Sequence, residues 1–145
     1  MSGRPGPKKA VREVSSFRLP PEMVKRLDVR AAMQGTTRTS LAEQYLEEGL
    51  RLVEHPGIRF ADGPAGRRAA VVGGPDVWEI VMVLKANGGD VDLVAEYLNL
   101  ASAKVRIALR YYTVYTEEID AWLAENEAIF DREYALQEKQ RRLFQ

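Results

Sequence analysis

The sequence predicts a mainly helical chain: an N-terminal strand–helix–helix module, then a small β-hairpin, a helical domain and one long terminal helix. Three observations predict it. Residues 14–19 (Val-Ser-Ser-Phe-Arg-Leu) alternate apolar and polar side chains and stop at Pro20-Pro21, which is the period of a strand. Apolar residues then recur at helical spacing on both sides of Gly35 and again through most of residues 77–143. Between those blocks, Asp62-Gly63-Pro64-Ala65-Gly66 separates two short strand-forming runs.

In chain order, Gly, Pro and basic side chains dominate the start (Arg4, Pro5, Gly6, Pro7, Lys8, Lys9). Residues 1–12 therefore read as a flexible basic arm with nothing to bury. The strand puts Ser15, Phe17 and Leu19 on one face and Val14, Ser16 and Arg18 on the other. No second strand lies nearby, so its backbone groups need a partner, and the same strand of a second copy supplies one. The product is a two-stranded ribbon with an apolar underside and one Arg18 per copy on top. The major groove of B-DNA admits such a ribbon.

The first helix is expected from Pro21, favoured at a first helical position, to Gln34, with Met23, Val24, Leu27 and Ala31 as its stripe and Gly35 at its C-terminal turn. Thr37 caps a second helix that carries Leu41, Tyr45, Leu46, Leu50 and Val53 and ends near His55-Pro56-Gly57. The module spans residues 13–55, with Phe17, Leu19, Leu27, Leu41 and Leu46 as its expected dimer core. Residues 56–145 form the second part. Ile58–Phe60 and Arg68–Val72 are the hairpin arms, and a helix apolar on most sides starts near Val77. Asp90 caps a helix to about Leu98, and Ser102 caps another to about Tyr112, a pair with helix-turn-helix proportions. Thr116, with Glu117 and Glu118 in the first turn, opens a helix that extends towards Leu143.

Net charge is zero, but the charges are graded along the chain. Residues 1–38 carry nine Lys/Arg against three Asp/Glu, and residues 117–145 carry four against eight. The basic end coincides with the ribbon, as an electrostatic footprint on nucleic acid would. Arg18 is placed to bridge guanine N7 and O6, with Val14 and Ser16 beside it as base contacts. Thr37, Arg38 and Thr39 sit where free helical N–H groups favour an anion, so phosphate is expected there and at Lys8 and Lys9. Lys104, Arg106 and Arg110 offer a second basic helix, read as a scaffold in preference to a second DNA reader.

The run Phe17–Glu22, then Lys25-Arg26-Leu27-Asp28, then Gly35–Leu41 resembles the ribbon-helix-helix repressors and antitoxins of bacteria. The resemblance implies a DNA-binding homodimer, or a higher even oligomer, whose outward strand residues read bases and whose second helix grips phosphate at its N-terminus. Position 14 departs from it, since Val stands where a polar residue is usual. Residues 55–126 are similar to a small bacterial domain with a homeodomain-like helical core, through Gly57–Phe60, Gly63–Ala69, Val77–Ile80 and Val105–Tyr112. That resemblance implies a PIN-like ribonuclease as partner in a toxin–antitoxin pair. The terminal helix offers Ile129, Phe130, Tyr134 and Leu136 as apolar anchors and Arg141 and Arg142 as charges able to enter a carboxylate-lined metal site.

Zero cysteines remove disulfides, thiol nucleophiles and Cys-ligated zinc. His55 is the one histidine and reads as a helix-end residue, and no catalytic, metal or cofactor constellation appears. With no transmembrane-length apolar run, a cytoplasmic, non-enzymatic antitoxin that represses its own operon is expected. The rival readings are a stand-alone repressor and an interaction protein whose ribbon never meets DNA.

Overall fold

A computed structural model describes residues 11–63 and 66–145, with the Phe130 side chain outside the described part. The elements run α1 (Pro21–Gln34), α2 (Arg38–Glu54), β1 (Ile58–Gly63), β2 (Gly66–Val71), α3 (Val77–Ala86), α4 (Val91–Leu98), α5 (Ser102–Val114) and α6 (Thr116–Leu143). The chain divides into two compact units, one ending at Tyr45 and the other beginning at Leu46. The division falls inside α2 and not at its end near residue 55, because the last turns of α2 belong with the hairpin and α5–α6.

In the first unit, Pro21 opens α1, where its missing N–H costs nothing, and Pro20 C=O accepts from the Met23 and Val24 N–H groups at 3.0 and 3.2 Å. Gly35 ends the helix with φ 66°, a left-handed conformation that a side chain would strain. Thr37 caps α2: its Oγ1 accepts from the Ser40 N–H at 3.1 Å. Residues 11–20 form neither helix nor strand in the single chain. Isolated from a partner, an extended segment of this kind has no ladder to join. Among the described residues of this unit only Ala31 and Leu41 are buried, while Leu27 is half-buried.

The second unit has a full core. β1 and β2 pair antiparallel from Ile58↔Val71 to Gly63↔Gly66, so the first arm runs three residues beyond Phe60. Gly57, at φ 95°, turns the chain from α2 into β1. A Cβ there would lie 2.6 Å from Ile107 Cδ1, so both conformation and space demand glycine. α3 is central, burying Val77, Ile80, Val81 and Leu84. They join Ile58 and Val71 of the hairpin, Val94, Val105, Ala108 and Tyr111 of α4–α5, and Ile119 of α6 in one cluster. Asp76 organises the entry to α3. Its N–H donates to Glu79 Oε2 at 3.1 Å, and its carboxylate accepts from Trp78 Nε1 at 3.1 Å and pairs with Arg68.

Two expected caps are different. Asp90 does cap α4, accepting from the Leu93 N–H at 3.1 Å. Ser102 is instead the first residue of α5 after Ala101, and its hydroxyl donates to Asp92 Oδ1 at 3.0 Å, tying α5 to α4. Thr116 likewise lies inside α6, its hydroxyl donating back to Tyr112 C=O at 2.7 Å. In both cases a nearby acceptor outcompetes the helix's own N–H groups. Among the described residues no helix is long and apolar enough to cross a membrane.

Candidate functional site

The first unit presents its expected reading face to solvent. Val14 is 97% exposed, Ser16 and Arg18 are exposed, and Lys25, Arg26 and Arg30 of α1 are exposed as well. Phe17 is 71% exposed and Leu19 is also open. Leaving a phenylalanine in water forgoes about 1.5–3 kcal/mol, so this face is incomplete in one copy. The same holds along α2. Leu41 is buried, yet Leu46, Leu50 and Val53, which continue its apolar stripe, are exposed. Of the expected dimer core, Leu41 and Leu27 are therefore packed within the chain, and Phe17, Leu19 and Leu46 are not.

At the N-terminus of α2, Thr37 and Thr39 are exposed. Arg38 is engaged by its own chain: Nε donates to Asp28 Oδ1 at 2.7 Å and Nη2 to Asp28 Oδ2 at 2.6 Å. The hydrogen bond from Arg38 holds the Asp28 carboxyl below its ordinary range, and the pair reciprocally raises Arg38. Any phosphate role for Arg38 must share or break this fork. The sequence reading missed the pair because ten positions separate its members across the Gly35 turn. Arg12 pairs with Glu43 in the same unit. Lys8 and Lys9 lie outside the described residues.

The second unit holds a polar knot at the C-terminal end of α2. Arg51 Nε donates to Glu47 Oε1 at 2.8 Å, and its Nη1 donates to Tyr111 Oη at 2.7 Å and to Glu118 at 3.0 and 3.1 Å. Tyr111 Oη donates in turn to Glu118 Oε2 at 2.9 Å. The guanidinium carbon lies 3.9 Å from the Tyr115 ring centroid. Burial opposes the charge on Arg51, but the Glu47 and Tyr111 hydrogen bonds and the Glu118 charge outweigh it and raise its affinity for the proton. Burial, then the Glu118 charge, pushes the Tyr111 phenol up against the opposing pull of Arg51. His55 completes the knot. It is not a helix-end cap exposed to solvent but a buried ring set edge-on to Tyr111 and Tyr115, with centroids 5.3 and 5.5 Å away. Nearby, Arg67 of β2 grips Glu48 of α2 through two nitrogens at 2.9 and 2.6 Å. These groups pair with one another, so the arrangement fixes α2 to the hairpin, α5 and α6. It is a structural joint and holds no nucleophile.

The remaining expected residues lie on α5 and α6. Arg106 and Arg110 are exposed, while Lys104 donates to Gly73 C=O at 3.2 Å. α6 packs through Ile119, Trp122 and Leu123 and then runs on with Ile129, Tyr134, Leu136, Leu143 and Phe144 exposed. Arg141 bridges Glu138 within the helix at 2.6 Å, and Arg142 is exposed. Among the described residues no cluster of His, Cys, Asp and Glu is suited to hold a metal ion. Comparison with protein-family models, with curated proteins and with solved structures found no match to the chain in any of the three.

Proposed function

We propose that the protein is a dimeric DNA-binding antitoxin that represses its own operon and neutralises a PIN-like ribonuclease, and that it is not itself an enzyme. One observation carries the reading. The N-terminal unit is a pair of helices joined at a left-handed glycine, preceded by an extended segment whose apolar face, Phe17 and Leu19, lies open in one copy. Pairing that segment with its copy completes a core that two buried residues do not supply alone. It also gathers the exposed basic residues of two chains on one side. In this reading Arg18 reads base edges, Val14 and Ser16 lie against the groove floor, and Thr37 and Thr39 position phosphate with Lys8 and Lys9. A two-fold dimer then calls for a palindromic or repeated operator.

The toxin half of the proposal rests on the resemblance of residues 55–126 and on the exposed outer half of α6. Ile129, Phe130, Tyr134 and Leu136 would anchor there, and Arg141 and Arg142 would carry charge to the nuclease. The stand-alone repressor is the second reading, favoured if no nuclease frame adjoins this one. The test is competition for DNA between the protein's own upstream sequence and random duplex, for the wild type and Arg18→Ala. A bidentate base contact predicts a loss of about 1–3 kcal/mol in discrimination, with the fold unchanged. Equal discrimination by both proteins would remove Arg18 from base reading, and no preference in the wild type would remove operator binding altogether.

A further inference from the structure

We infer that the outer half of α6 pairs antiparallel with the same helix of a second copy. α6 carries an apolar residue at strict seven-residue intervals: Trp122, Ile129, Leu136 and Leu143. A seven-residue repeat keeps one seam on one side of a slightly supercoiled helix, the pattern of a coiled coil. The start of the seam is occupied. Ile119 is buried and Leu123 packs against the core of the second unit. Beyond it the seam continues uncovered, with Ile129, Leu136 and Leu143 exposed.

Charge decides what covers it. Residues 125–133 carry Glu125, Glu127, Asp131 and Glu133 against Arg132, and residues 138–142 carry Lys139, Arg141 and Arg142 against Glu138. A parallel pair would lay each of these segments beside its own copy, acid along acid and base along base. An antiparallel pair lays the acidic segment of one helix along the basic segment of the other. One contact is placed directly. Glu125 and Lys139 are two heptads apart and share one flank of the seam. Reversing one helix keeps that flank and inverts the order, so Glu125 meets Lys139 of the second copy, twice per dimer. The apolar layers then match Ile129 with Leu136 and Trp122 with Leu143. Arg132 and Glu133 each approach their own copies near the dyad, on opposite flanks, and their opposite charges offset. A parallel pair would gain Arg132 beside Glu133, but it would forgo both Glu125–Lys139 contacts and keep the like-charged segments together. One helix thus carries both halves of a self-complementary, two-fold surface. This goes beyond the proposed function and needs neither DNA nor a nuclease; a partner that docks on this seam would first displace the second copy.

The chain has no cysteine, so a disulfide can report the pairing directly. Ile129→Cys and Leu136→Cys chains are made in the full-length protein, bearing tags of different length, and each is oxidised alone and after co-expression. Antiparallel pairing predicts a mixed dimer on co-expression, joined from position 129 of one chain to position 136 of the other. It predicts little product from either variant alone, because like positions sit about 10 Å apart along the axis. Adding Lys139→Glu to both chains should slow the mixed cross-link roughly tenfold, and adding Glu125→Lys as well should restore it. Both cysteine sites are exposed, and far-ultraviolet circular dichroism checks that α6 stays helical. Efficient cross-linking of each variant alone would replace the antiparallel pair with a parallel one. Absence of the mixed product, or insensitivity to the charge reversal, would overturn the proposal.

Discussion

Replacing Tyr111 with Phe removes one oxygen from the joint between α2, α5 and α6 and leaves the buried ring in place. Two hydrogen bonds disappear: Arg51 Nη1 to Tyr111 Oη, and Tyr111 Oη to Glu118. Bonds to charged partners contribute about 1.5–3 kcal/mol each. Arg51 keeps Glu47 and Glu118, however, and the Glu118 side chain is 42% exposed, so water replaces part of what it loses. The expected destabilisation at neutral pH is therefore about 1–3 kcal/mol in total. Urea unfolding followed by tryptophan fluorescence reads it, because Trp78 and Trp122 both lie in the second unit. The pH dependence has a definite sign. Folding raises the Tyr111 phenol above its ordinary value of 10.0. The stability this represents is present below about pH 10 and is lost as pH climbs further, since the unfolded chain gives up the proton first. Phe has no proton to lose, so the gap between wild type and variant should narrow above about pH 10. A variant as stable as wild type at pH 7, or a gap that does not change with pH, would refute this account of the joint.

Two further outcomes follow from the arrangement of charges and of α6. Asp28→Asn should free the Arg38 fork and remove one negative charge from the basic unit. Binding to random duplex should tighten at low salt, with the salt slope steepening by about 0.9 for one added phosphate contact; an unchanged slope in a salt titration would show that Arg38 does not reach DNA. Truncation after Glu125 should leave DNA binding near wild type and abolish co-purification with the adjoining gene's product, because Ile129, Leu136 and Arg142 are removed while the core through Leu123 stays. A truncated protein that still captured that product would move partner binding off α6.

Much of the architecture was legible because its signals are local. Pro21, Gly35 and Thr37 fix the ends of α1 and the start of α2 within a few residues of themselves. The Asp62–Gly66 turn marks the hairpin, and the apolar run from Val77 marks the central helix. What was hidden is set by distant partners. Arg51 meets Tyr111 and Glu118 across 60 and 67 residues, and no spacing rule connects them. Nor does helical periodicity say which face of α2 its own chain covers. The apolar stripe through Leu46, Leu50 and Val53 stays open, and the polar face with Arg51, Glu48 and His55 docks instead. The Asp76–Glu79 spacing before α3 was a local signal within reach, an acidic cap with Glu three residues on, and the Gly-Gly-Pro run beside it obscured it. Ser102 and Thr116 show the converse: cap-type residues whose hydroxyls find acceptors elsewhere.

Amide hydrogen exchange of residues 14–19 in the intact protein tests the central claim most directly. A two-stranded antiparallel ribbon pairs alternate residues through both backbone groups. Within Val14–Leu19, every second amide should therefore be protected and its neighbours left open to water. Protection should fade on dilution as the dimer dissociates, and Phe17→Ala should abolish it by removing the exposed ring that pairing buries. Uniformly fast exchange across these residues, at concentrations where the protein is dimeric, would contradict the ribbon and with it the DNA-reading role assigned to Arg18.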